Sequence, residues 1–180
     1  MGFAKMTCLR VRFFCWGALV LLFVLFLPCA SAQAATRHIG TYDDWNAWTD
    51  GEGRKQVCFV SSQPLTSEGN YTRRGAVFLI VSASRAAPNG EVSYTAGYRY
   101  KKATGASLTI DEATYELGFT QGEVAWSLDR KQDRRIIQGF RSGLKATVEA
   151  LSWRDTTTID EFSLKGFSSA WRSALEACPF

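Results

Sequence analysis

The chain has 180 residues, with 21 Lys and Arg against 17 Asp and Glu and a single histidine. That length fits one domain behind a targeting segment, and a body of about 150 residues buries roughly two-thirds of its unfolded surface, enough for a true core. With one histidine, a His-rich metal centre is excluded, and Ser/His/Asp or Cys/His catalysis lacks a plausible base.

The elements begin with an export pattern. Lys5, Arg10 and Arg12 precede a run of uncharged, mostly apolar residues from Phe13 to Leu27. Pro28 ends the run, and Ala30-Ser31-Ala32 offers a small-x-small cleavage site. This predicts a signal peptide over residues 1–32, of Sec type because no arginine pair stands in its basic region. It directs the protein to the periplasm or outer cell envelope. As a helix the apolar run spans about 22 Å, short of the ~20 residues a bilayer core needs. Extended to Ala32 it reaches that length, so an uncleaved inner-membrane anchor is the alternative. Cleavage removes three basic residues and leaves 18 basic against 17 acidic. The basic character of the whole chain therefore gives no reason to expect nucleic-acid binding, which needs a net basic patch on the folded domain.

Residues 33–40 are small and polar and read as a flexible leader, with His38 in it, ahead of a single domain over 41–180. That domain is predicted to be mainly β. Gln56 to Ser62 reads as an inner strand, and Gln63 to Gly75 as a long polar loop. Ala76 to Ala83 is almost entirely apolar, which suggests a central strand covered on both faces. After the turn signal Pro88-Asn89-Gly90, Glu91 to Tyr100 alternates apolar and polar residues at the period of a strand. Shorter strands are predicted at Ser107–Ile110, Thr114–Thr120, Glu123–Leu128, Arg135–Phe140, Lys145–Trp153 and Thr156–Phe162. Gln121-Gly122, Asp129 to Asp133 and Ser142-Gly143 punctuate them. This spacing predicts an antiparallel β-sandwich or barrel-like fold. The terminal Phe180 matches the ending of many outer-membrane barrels, but Pro179 and the helix before it argue against a last membrane strand.

Near the C-terminus the period changes. Leu164, Phe167, Trp171, Ala174, Leu175 and Cys178 share one face of a helix of about three turns, with Ser163 or Ser168 as its cap and Pro179 as its stop. Once the first 32 residues are removed, with Cys8, Cys15 and Cys29, only Cys58 and Cys178 remain. A bond between them would staple the helix to an early inner strand, worth about 5 kcal/mol in the chain-entropy model. Two buried free thiols are the alternative.

Several separated stretches resemble the invasion-associated locus B family of exported alphaproteobacterial proteins. They are DDWNAW (Asp43 to Trp48), VCFVSSQPLTSEGNYTRRGAVFLIVSA (Val57 to Ala83), EVSYTAGY (Glu91 to Tyr98), FTQGEVAWSLD (Phe119 to Asp129) and FSLKGFSSAWRSALEAC (Phe162 to Cys178). The resemblance runs in order through nearly the whole predicted domain. It implies an envelope-located protein with a compact β fold, and it brings no established active site.

The residues themselves offer little chemistry. No glycine-rich phosphate loop is present, and Asp43-Asp44 and Asp111-Glu112 read as turn residues. Arg99, Lys101 and Lys102 read as a strand edge guarded by charge, Arg130, Lys131, Arg134 and Arg135 as a charged turn, and Tyr94, Tyr98 and Tyr100 as core. The best binding candidate is the Gln63–Gly75 loop with Glu68, Asn70, Tyr71, Arg73 and Arg74, because paired arginines beside a tyrosine suit an anionic group or a partner surface. The expectation is a non-enzymatic exported protein without cofactor or metal, binding another protein or an envelope component. A small-ligand carrier built as a β-barrel is the alternative.

Overall fold

The structure, a computed structural model, describes residues 36–178. The expected signal peptide and Pro179 lie outside the described residues. Twelve strands and two α-helices are present among them: β1 Arg37–Tyr42, β2 Trp45–Asp50, β3 Val57–Ser62, β4 Thr66–Gly69, β5 Phe78–Ser84, β6 Glu91–Thr95, β7 Ala106–Ile110, β8 Ala113–Leu117, β9 Phe119–Gln121, β10 Val124–Trp126, α1 Arg130–Ser142, β11 Lys145–Leu151, β12 Thr157–Ser163 and α2 Phe167–Ala177.

Strict alternation along β2, β3 and β5 sends Trp45, Ala47, Cys58, Val60, Leu79 and Val81 to one buried face. These strands form the middle of a seven-stranded sheet in the order β1-β2-β3-β5-β6-β10-β9. A five-stranded sheet runs β4-β12-β11-β7-β8, and every pairing in both is antiparallel. The faces meet through side chains such as Tyr94 of β6 and Phe162 of β12, whose rings pack edge to face at 6.3 Å. The fold is thus a mainly β sandwich.

Both helices pack against this sandwich. α2 lies on β1, β2 and β3 and turns Phe167, Ala170, Trp171 and Ala174 inward. Trp45, Phe140 and Phe167 form an aromatic cluster, with centroids 4.9–6.0 Å apart, that joins β2 to both helices. Cys58 and Cys178 are bonded, with Cα atoms 6.0 Å apart, and both are buried. The staple expected between the early inner strand and the terminal helix is present.

Several expectations need correcting. Arg135–Phe140 is not a strand, and the charged cluster around Arg130 is not a turn, because both belong to α1. Asp129 is its N-cap, accepting from the backbone N–H groups of Lys131 and Gln132 at 2.7 and 2.8 Å. Asp133, Ile136, Ile137 and Phe140 then fall at helical spacing on the buried face. The fold therefore has two helices, not only a C-terminal one. Neither Ser163 nor Ser168 caps α2, which begins at Phe167 with Gly166, in the left-handed region (φ 90°), as an N-cap that offers no side-chain hydrogen bond.

The predicted flexible leader is structured from Arg37. Main-chain pairing of β1 with β2 holds that segment, although its residues show no alternation. His38 consequently packs against Trp48, ring centroids 4.6 Å apart and tilted by 54°, instead of lying away from the folded domain. β5 is central, but Phe78, Ile80 and Ser82 are only half-buried, so it is not fully covered on its second face. β6 ends at Thr95, short of Tyr100, and Gly97 turns the chain at φ 71°. A Cβ there would lie 2.5 Å from the Gly75 oxygen, so only glycine allows the close approach in which Gly75 N–H donates to Gly97 C=O. Asp43 (φ 48°) and Asp111 (φ 50°) sit in the two-residue turns β1–β2 and β7–β8, as their sequence context suggested. No helix among the described residues is long and apolar enough to cross a membrane.

Candidate functional site

The Gln63–Gly75 segment is not a free loop throughout. Thr66–Gly69 adds β4 to the edge of the five-stranded sheet, pairing Gly69 with Thr158 and Glu68 with Ile159. This pairing carries the following residues, Asn70 to Arg73, to the turn between β11 and β12. A surface cleft of about 330 Å³ lies between the two segments. One wall is Asn70, Tyr71, Thr72 and Arg73, the other is Ser152, Trp153, Arg154 and Thr156, and Tyr98 and Thr158 complete the lining.

The floor is held from below by a buried polar network. Arg74 donates through Nη1 to Asp160 Oδ1 at 2.8 Å and through Nη2 to Asp160 Oδ2 at 2.7 Å. Its Nε donates to the Ala96 carbonyl at 2.7 Å and its Nη2 to the Tyr94 hydroxyl at 2.8 Å. Ser67 and Tyr94 donate their own hydroxyls to Asp160. The ion pair is almost wholly buried, with side-chain exposures of 5% and 0%. Tyr94 and Ala96 follow the seven-stranded sheet while Asp160 and Ser67 belong to the five-stranded one, so the network latches the two sheets together.

The surroundings fix the protonation of these groups. Burial works against the Arg74 charge but is outweighed by the hydrogen bond and charge of Asp160, and the net direction is upward. The Tyr94 hydroxyl is pushed well above its ordinary range, first by burial and then by the Asp160 charge, so it stays a donor. Burial also raises Tyr98, whose hydroxyl shares a 2.5 Å hydrogen bond with Thr158. The Arg74 guanidinium stacks 5.0 Å from the Tyr98 ring and 5.5 Å from the Tyr71 ring. Two aromatic side chains of the cleft are thereby pinned by the latch beneath them.

The five loop residues singled out by sequence part company here. Asn70, Tyr71 and Arg73 line the cleft. Glu68 is exposed on β4 and lines no wall of it. Arg74 is buried and committed to Asp160, so the two consecutive arginines do not act as a pair. Trp153 and Arg154 were missed. Trp153 is 57% exposed, and the Arg154 guanidinium covers it at 4.7 Å. A large exposed aromatic beside an arginine is a usable signal, but the segment read as the end of a strand, and nothing local tied it to Asn70–Arg73. A wider and more open depression of about 480 Å³ includes Gly105, Ser107, Glu116 and Glu149 in its lining. It has no aromatic wall and is the weaker binding candidate.

The cleft is cationic in an otherwise near-neutral domain. Arg73 and Arg154 line it, no carboxylate does, and neither arginine has an ion-pair partner among the described residues. Nor does a histidine or cysteine line it. The arrangement suits an anionic, hydrogen-bonding group and offers no general base or nucleophile of ordinary strength. Against known proteins, the family model described as invasion associated locus B protein matches residues 45–174, which takes in every wall of this cleft. No curated protein and no solved structure gave a match.

Proposed function

The chain belongs to the invasion-associated locus B family, and on that premise we propose that it is an exported, non-enzymatic binding protein of the periplasm or outer envelope. Its partner, a protein or an envelope component, presents an anionic group to the Asn70–Arg73 and Trp153–Arg154 cleft. The observation that carries this reading is the pairing of two arginines, neither with an ion-pair partner among the described residues, with a pinned aromatic floor on a rigid sandwich, the usual setting for binding residues. The Cys58–Cys178 bond agrees with an oxidising compartment. The absence of His, Cys, Asp and Glu from the lining favours binding over turnover. The space between the sheets is filled by Leu79, Tyr94, Leu108, Val148 and Phe162, all fully buried, which favours a surface ligand over a carried one.

A photo-crosslinking residue placed at Thr72 in cells is the direct test. A discrete adduct that disappears when Arg73 and Arg154 are replaced by alanine is expected. If no adduct forms, or if it persists unchanged in the double variant, the cleft is not the binding site.

A further inference from the structure

We propose that the group bound in this cleft is an acidic sugar, a pyranose ring bearing a carboxylate or a phosphate. This rests on the cleft being the binding site and goes further by naming the ligand class. The argument comes from what the walls contain and what they lack.

The Arg154 guanidinium lies over the Trp153 ring, 4.7 Å from its centroid, yet Trp153 remains more than half exposed. A broad aromatic plane with an open face suits the apolar face of a sugar ring. Around it stand short hydrogen-bonding side chains, Asn70, Thr72 and Thr156, whereas the buried Ser152 hydroxyl accepts from the Arg154 and Thr156 backbone N–H groups of its own turn. Such groups match several hydroxyls at close spacing. Arg73 and Arg154 supply the charge for an acidic substituent, and guanidinium forks pair equally with carboxylate and phosphate.

The missing residue types weigh against other ligands. No Leu, Ile, Val, Met or Phe lines the cleft. An anchoring side chain from a protein partner is ordinarily received by an apolar, fully desolvated pocket, and a lipid tail needs apolar walls as well. No carboxylate lines it, so a cationic ligand would be unpaired. The floor is preorganised: Tyr98 is fixed by Arg74 at 5.0 Å and by Thr158. Little ordering cost therefore attends binding of a small, stiff ring.

The test uses purified protein with its disulfide intact and follows the Trp153 indole N–H by NMR. Four probes are titrated: trigalacturonate, glucose 6-phosphate, neutral maltotriose and a triglutamate peptide. A saturable shift of the Trp153 signal with trigalacturonate or glucose 6-phosphate is expected, and which of the two acts separates carboxylated from phosphorylated sources. Maltotriose and triglutamate should bind at least tenfold more weakly. Arg73→Ala, read from the Trp153 signal, and Trp153→Ala, read by isothermal titration calorimetry because it removes that signal, should each weaken acidic-sugar binding at least tenfold, with the unfolding midpoint unchanged. Equal binding of triglutamate overturns the sugar assignment, because charge alone would then suffice. Equal binding of maltotriose overturns the acidic part. If no probe binds while the Thr72 adduct in cells still depends on Arg73 and Arg154, the sugar assignment falls and the cleft survives. If that adduct is absent as well, both fall.

Discussion

The cleft and the latch beneath it are built from neighbouring residues of one loop, and they have opposite physical characters. In the latch, Arg74 is buried and spends its guanidinium on Asp160, Tyr94 and the Ala96 carbonyl. In the cleft, Arg73 is exposed, and among the described residues it has no ion-pair partner. The first charge is taken out of water and must be matched within the fold. The second stays in water, contributes little to stability, and is left free to meet a ligand. The contrast teaches that charge in a sequence carries no label. Burial decides whether an arginine serves the fold or a partner.

The largest effect that would break this contrast comes from the latch. Asp160→Ala should cost about 3–5 kcal/mol, because Arg74 is then buried without its counter-ion. Denaturant unfolding measures it, and a loss below about 1 kcal/mol would show that the latch is not structural. Replacing both partners by apolar residues of similar volume should recover much of the loss. Opening the Cys58–Cys178 bond through paired Cys→Ser substitutions should cost roughly 2–5 kcal/mol and loosen α2 first. Hydrogen exchange should then show protection falling in α2 before it falls in β12.

Asp133 sharpens the contrast from another side. It is a buried acid with no ion-pair partner among the described residues, accepting instead from the Val92 N–H at 2.8 Å and from the Ser127 hydroxyl. Burial raises its pKa above the ordinary 3.8. A group raised in the folded state stabilises it while protonated and loses that contribution as pH climbs through the folded value. Asp133→Asn keeps an acceptor for Val92 and does not titrate. Its stability relative to the parent should therefore grow as pH rises from below 3.8 to neutral, as thermal unfolding across a pH series would show. A difference independent of pH would contradict the raised value.

The smallest stability effect belongs to the cleft. Arg73→Ala should change stability by less than about 0.5 kcal/mol while weakening the Thr72 crosslink. A large destabilisation would erase the distinction between the two arginines.

Much of the fold is legible in local pattern, since alternation marked β6 and a helical stripe marked α2. The same stripe rule applied to Asp133, Ile136, Ile137 and Phe140 would have found α1. It was obscured because the capping Asp129 and the charged first turn imitate a loop. β1 carried no signal because its pairing is made by the main chain. Of the candidate site, Asn70, Tyr71 and Arg73 were legible as a polar loop. Trp153, Arg154 and Tyr98 were not, because they join the site only through contacts distant in sequence.

The sequence by itself determined the β character, the terminal helix and the two cysteines able to close the domain. These depend on periodicity and residue type, which are local properties. Only the tertiary structure decided that Arg74 meets Asp160, 86 positions away, and that Arg73 is left facing Trp153 and Arg154 across a cleft. Strand order in an antiparallel sandwich is set by which faces bury best together, and the period of no single strand encodes it.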